Sequence, residues 1–263
     1  MNNALQQAHV LITRPAHQAH RLKELITELG GIAVSLPTLA IAPVADTQQL
    51  KAKLAKLADY DFLIFVSANA VTMLQQQVDN DKMPATLKGQ WVAIGEATAQ
   101  AMQQIGWTVD IVPRQGFNSE ALLATAALQN VAGQKILIVR GHGGREILST
   151  QLSARGANVD YLDIYQRVLP SVNTTETLNL LNQQRLSAIT MTSGEALHNL
   201  MTLIDAHYHQ LLKAVPLIVL SERIGHIAQH IGFKHIAVAK KPTDAAIVQE
   251  VINVINGEIA WQN

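Results

Sequence analysis

Arg14 and Arg140 each follow a short apolar run, and their separation of 126 residues recurs along the whole chain. The same offset joins Gly30 to Gly156, Ser67 to Ser193, Glu96 to Glu222 and Gly106 to Gly232. Apolar positions agree as well: Leu11 with Leu137, Ile12 with Ile138, Leu54 with Leu180, Leu74 with Leu200. One register held over so many landmarks points to two similar units that offer the same strand-to-helix turns. A duplication inside a single domain of twice the size is the alternative.

The apolar runs themselves set the fold class. They are Val10–Ile12, Phe62–Val66, Trp91–Ile94, Lys135–Val139, Ala188–Met191, Leu217–Leu220 and Ile236–Val238. Runs apolar throughout, without alternation, suit strands buried on both faces. Between them, stretches such as Ala16 to Leu29 and Ala97 to Ile105 carry apolar residues three and four apart, which predicts helices. Strand and helix in alternation predict an α/β protein with parallel sheets.

One segment per repeat departs from this scheme. Leu36–Pro43 and its counterpart Leu162–Leu169 follow the second strand of each repeat and read as extended connectors, punctuated by Pro37, Pro43 and Pro170. If they pair, the chain crosses between domains twice and each domain draws on both repeats. A plain tandem arrangement would give the same text.

Composition removes several function classes. Lys and Arg total 20 against 20 Asp and Glu, which argues against a general nucleic-acid binder. There is no Cys, so thiolate catalysis, Fe–S clusters and Cys-based zinc sites are excluded. No apolar run approaches the roughly 20 residues of a membrane span, and the first nineteen residues do not read as a signal peptide. The expectation is a cytoplasmic protein without membrane partners. His226 and His230 lie one helical turn apart but lack a His-Glu-x-x-His element, so no metal is expected. Gly141-His142-Gly143 begins a dinucleotide fingerprint, yet Glu146 takes the third glycine position and no Walker loop occurs.

Ligands of open α/β sheets gather at the carboxyl ends of strands, where helix N-termini favour anions. Those turns contain Arg14, Ser67, Asn69, Thr98, the run Arg140–Arg145, Ser193 and Ser221. Each Ser or Thr doubles as a candidate helix cap, and each Arg as an exposed charge. Their recurrence in both repeats favours a carboxylate- or phosphate-bearing ligand held between two domains. Tyr165 breaks the repeat, its counterpart being Leu39. A phenol is an uncharged proton donor at neutral pH; otherwise Tyr165 is an amphipathic residue covering a domain joint.

Taken together, the chain resembles the uroporphyrinogen-III synthase family. The resemblance rests on Val10–Pro15, Leu36-Pro37, Phe65–Val71, Ile94–Ala99, Gly156-Ala157, Ile164–Arg167, Thr192–Leu197 and Ser221–Ile224. Val66 stands where many members have Thr, and the glycines at 141–144 are unusually dense. The resemblance implies two flavodoxin-like domains with parallel sheets, joined by a two-stranded antiparallel linker. One domain would combine residues 1–36 with 172–263, and the other would be 37–171, with linker strands at about 36–43 and 162–170.

It also implies a cofactor-independent reaction. Linear hydroxymethylbilane loses its hydroxyl as water, and the cation at ring A is attacked by the substituted α-carbon of ring D. The spiro intermediate fragments and recloses with ring D inverted. Tyr165 matches the tyrosine proposed to assist departure of the hydroxyl. Ser67, Asn69, Thr98, Ser193 and Ser221 would hold the acetate and propionate arms, with Arg14 and Arg140 as further contributors. A monomer is expected, with at most a transient contact with the preceding pathway enzyme. The rival reading is a non-catalytic two-domain sensor for an anionic small molecule, which gives Tyr165 no role.

Overall fold

The computed structural model describes residues 3–44, 47–78, 89–114, 116, 118–144 and 146–258. The chain opens with β1 (His9–Ile12), α1 (His20–Glu28), β2 (Ile32–Ser35), β3 (Ala40–Pro43) and α2 (Thr47–Leu54). There follow β4 (Phe62–Phe65), α3 (Ala68–Gln77), β5 (Gln90–Ala93), α4 (Glu96–Gln104) and α5 (Ser119–Leu123). Next come β6 (Lys135–Gly141), α6 (Ile147–Ala154), β7 (Asn158–Val168), α7 (Thr175–Asn182), β8 (Leu186–Met191) and α8 (Gly194–Leu203). The last are α9 (His209–Ala214), β9 (Leu217–Val219), α10 (Glu222–Ile231), β10 (Ile236–Val238) and α11 (Asp244–Ile255).

These elements form two compact units. A split unit comprises Met1–Ala40 and Val168–Asn263, and a continuous unit comprises Ile41–Arg167. The split unit carries the sheet β10-β9-β8-β1-β2, and the continuous unit carries β3-β7-β6-β4-β5. Pairings β1–β2, β1–β8, β8–β9 and β9–β10 are parallel, as are β4–β5, β4–β6 and β6–β7. Each sheet therefore takes strands from both halves of the 126-residue repeat: β1 and β2 join β8 to β10, while β4 and β5 join β6 and β7.

The unbroken apolar runs have a direct structural cause. Within β4, Leu63 and Phe65 enter one core cluster, and Phe62 and Ile64 enter another on the opposite face. In β1, Leu11 faces one cluster while Val10 and Ile12 face the other. Successive strand side chains point to opposite faces, so a strand covered on both sides must be apolar at every position.

Two expectations change in detail. The helix expected from Ala16 begins as a separate 3-10 turn at Ala16–Gln18, ahead of α1. The two connectors are also not alike. In the second repeat, β7 runs unbroken through eleven residues, whereas in the first the chain pauses between β2 and β3. Pro37 lies in that pause, where the second repeat has Asp163. A proline has no N–H for the ladder, so the strand cannot continue through it. Among the described residues, no helix is long and apolar enough to cross a membrane.

Candidate active site

In the continuous unit the chain leaves β4 towards β5 on one side and leaves β6 towards β7 on the other. Between two such neighbours the connecting helices diverge and open a crevice at the strands' carboxyl ends. A pocket of about 280 Å³ lies there, lined by Val66, Ser67, Ile94, Asn118, Ser119, Ile138, Arg140, Gly141, Gly144, Leu148, Tyr165 and Arg167. Ser67 follows the end of β4, Arg140 and Gly141 close β6, and Tyr165 reaches in from β7.

Tyr165 is 2% exposed and packs its ring in the core against the β4 side. Its hydroxyl lies 3.1 Å from Ser67 Oγ. Ser67 is the N-cap of α3, and Oγ accepts the Ala70 N–H at 3.1 Å. Because the cap uses Ser67 as an acceptor, its own O–H is available to donate to the phenol oxygen. In that arrangement the phenol proton is released for an acceptor in the pocket.

Arg140 is 9% exposed and tightly held. Nε donates to Asp163 at 2.9 Å, and the guanidinium carbon lies 3.4 Å from the centroid of the Tyr161 ring. Asp163 also meets His142 Nδ1 at 3.2 Å. Nη1 of Arg140 is buried and has no hydrogen-bond partner.

The remaining predicted residues lie elsewhere. Asn69 and Thr98 sit in the first turns of α3 and α4, outside this pocket; buried Thr98 lines a second one with Gly95 and Glu96. Arg14, Ser193 and Ser221 belong to the split unit. There Arg14 forms an ion pair with Asp244, and Ser193 Oγ caps α8 by accepting the Ala196 N–H at 3.1 Å. Ser221 occupies the N-cap of α10 without a side-chain cap bond. Arg145 lies outside the described residues.

A family model described as uroporphyrinogen-III synthase HemD matches residues 20–249. The uroporphyrinogen-III synthase of Escherichia coli K12 is 33% identical over 242 residues, covering 91% of this chain and 98% of its own length. The chain belongs to the uroporphyrinogen-III synthase family. A second relative of that name, from Proteus mirabilis, is 37% identical over 60% of this chain and 80% of its own length. Solved synthase structures share the fold at low identity. The Helicobacter pylori enzyme has a TM-score of 0.61 at 15% identity, covering 94% of this chain and 99% of that one. A mutant Thermus thermophilus synthase has a TM-score of 0.60 at 16%, covering 95% and 99%.

For a synthase-family chain, the site also depends on residues that sequence reasoning passed over. Asp163 lies in a connector and Tyr161 just before it, and both hold Arg140 without lining the pocket themselves. Asn118 was legible as a helix cap ahead of Ser119–Leu123, and it accepts the Ala121 N–H at 2.8 Å. His226 and His230 are exposed on α10. Among the described residues, no three metal-capable side chains converge.

Proposed function

We propose that this chain converts linear hydroxymethylbilane to uroporphyrinogen III, with loss of water and inversion of ring D. The observation that carries the reading is the Tyr165 hydroxyl, set in the pocket beside Ser67 in a chain of this family. The relatives bear an enzyme's name, which weighs against the sensor.

In the proposed chemistry, Tyr165 donates its proton to the hydroxyl as the C–O bond breaks, and water departs. The cation at ring A is attacked by the substituted α-carbon of ring D. The resulting spiro intermediate fragments and recloses. The proton lost in the final closure restores the phenol. Direct closure without the enzyme gives the unrotated type I isomer, so catalysis must favour the crowded spiro path over an open one. Asn69, Thr98, Arg14, Ser193 and Ser221 bind acidic arms of the same substrate, together with Ser67 and Arg140. The protein acts as a cytoplasmic monomer without a cofactor, receiving the bilane in a transient contact with the enzyme that makes it. Leu36–Pro43 and Leu162–Pro170 serve as antiparallel linker strands around two domains, 1–36 with 172–263 and 37–171. Support for this comes from β3 lying next to β7, and from the boundaries of the compact units falling inside both connectors.

The test is to supply purified protein with fresh hydroxymethylbilane and resolve the type I and type III products after oxidation. Dominant type III without added metal or nucleotide is expected. Only type I, at the uncatalysed rate, would refute the synthase reading. Tyr165→Phe should lower kcat by roughly 10–100-fold, the modest end of acid catalysis. Unchanged turnover at saturating substrate would remove the proton-donor role.

A further inference from the structure

Tyr165 lies on the face of β7 opposite to the one that regular alternation assigns it. Val159 and Tyr161 pack with Phe62 and Ile64, while Leu162 and Ile164 pack with Leu63 and Phe65. Alternation would put Tyr165 with Tyr161, yet it joins the cluster of Leu162 and Ile164. The pairing with β6 gives the cause. Arg140 stands opposite Asp163 and Gly141 opposite Tyr165, so Ile164 is an extra residue with no opposite number in β6. Such a bulge re-aims the side chain that follows it.

His142 spans this bulge. Its backbone N–H donates to the Tyr165 carbonyl at 2.7 Å, and its ring Nδ1–H donates to Asp163 Oδ2 at 3.2 Å. One residue therefore holds β7 on both sides of Ile164. The other oxygen of Asp163 accepts from Arg140 Nε at 2.9 Å, which fixes the carboxylate that the imidazole grips. The His142 side chain is 73% exposed and lines no part of the pocket, so its effect on the site passes through β7. An ion pair so open to water adds little to overall stability. A bulge competes with regular pairing of the same strands, however, and a small bias decides between them.

The repeat isolates the same group of residues. At the places of Gly141, His142, Asp163 and Tyr165 the split unit has Pro15, Ala16, Pro37 and Leu39. The phenol, the glycine that makes room for it and the two residues that clamp the bulge all occur in the continuous unit alone.

We infer that His142 is a positioning residue for the Tyr165 phenol: its imidazole, bound to Asp163, holds the bulge that turns Tyr165 towards Ser67. The effect on turnover rests on the synthase reading; the hold on the ring does not.

The test compares His142→Ala with His142→Asn, because Asn carries an N–H on its γ carbon as His does. Loss of this one bond in His142→Ala should lower kcat by roughly 3–10-fold with KM unchanged, and His142→Asn should restore most of it. In a Tyr165→Phe background, His142→Ala should add nothing. Ring-labelled tyrosine gives a readout without substrate: the chain has four tyrosines, and Tyr165→Phe identifies the resonance of Tyr165. That resonance should move in His142→Ala and return in His142→Asn. Wild-type kcat in folded His142→Ala, no rescue by His142→Asn, or an equal loss in the Tyr165→Phe background would overturn the inference. If the resonance responds as expected but even the wild-type chain yields only type I product, the clamp stands and the synthase reading falls.

Discussion

Gly141 and Tyr165 stand opposite one another in the β6–β7 pairing, just past a shift of register between Arg140 and Gly141. A Cβ on Gly141 would lie 2.4 Å from one ring carbon of Tyr165 and 2.9 Å from its oxygen. Gly141 is therefore a positioning residue: its missing side chain is the space the phenol occupies. Gly141→Ala should force the ring off Ser67, cost about 1–3 kcal/mol of stability as an overpacked core does, and lower kcat by roughly 10–100-fold. Measuring Gly141→Ala, Tyr165→Phe and the double variant separates positioning from general damage. If Gly141 acts through the phenol, the double variant turns over no more slowly than Tyr165→Phe alone. At this scale the sequence marks Tyr165 by its departure from the repeat, and Arg140 by its agreement with it. It marks Gly141 only as the start of an incomplete dinucleotide fingerprint, since a glycine demanded by a ring across a strand pair carries no local signal of that demand.

Helix α3 and helix α8 occupy equivalent places in the repeat, and both start from a serine whose Oγ accepts the N–H three residues on. Ser67→Ala and Ser193→Ala should each lower stability by about 1 kcal/mol, the ordinary value of a lost N-cap. Ser67→Ala alone also removes the partner of the Tyr165 hydroxyl, so it should depress kcat beyond its effect on stability. Chemical denaturation of both variants beside their turnover provides the comparison; equal kcat at equal stability loss would reduce Ser67 to a cap. Strand positions were legible because full burial forces uninterrupted apolar runs such as Phe62–Phe65. The extent of β7 was less so. Its outer stretch mixes Asp160, Asp163 and Gln166 with apolar residues, since part of it is only half-buried. Which connector stays a strand depends on Pro37 against Asp163, a difference of one N–H.

Over the whole chain, the repeat gives two units without saying how the halves combine, because periodicity is blind to which strands share a sheet. The core clusters supply that information. Leu63, Phe65, Leu137 and Val139 pack in one cluster, and Phe62, Ile64, Ile136 and Ile138 in another, all within Ile41–Arg167. A unit with apolar cores on both faces of its own sheet contains what independent folding requires. Residues 41–167 expressed alone should therefore unfold in a single cooperative transition and give a dispersed amide spectrum. Removing residues 1–40 should instead unfold what remains of the split unit, since it takes away β1 and β2 and uncovers β8 in that sheet. Tyr60 offers a check on whether the fragment keeps its native core. Burial, followed by its hydrogen bond to Asp160, pushes its phenol from the usual 10.0 up to about 12. The folded fragment holds that proton longer than the unfolded chain, so Tyr60 adds stability below pH 10 that is lost as the pH rises through about 12. Tyr60→Phe should flatten this alkaline decline in the fragment as in the full chain. A fragment with collapsed amide dispersion, or one in which Tyr60→Phe leaves the alkaline profile unchanged, would mean that the continuous unit depends on the rest of the chain for its core.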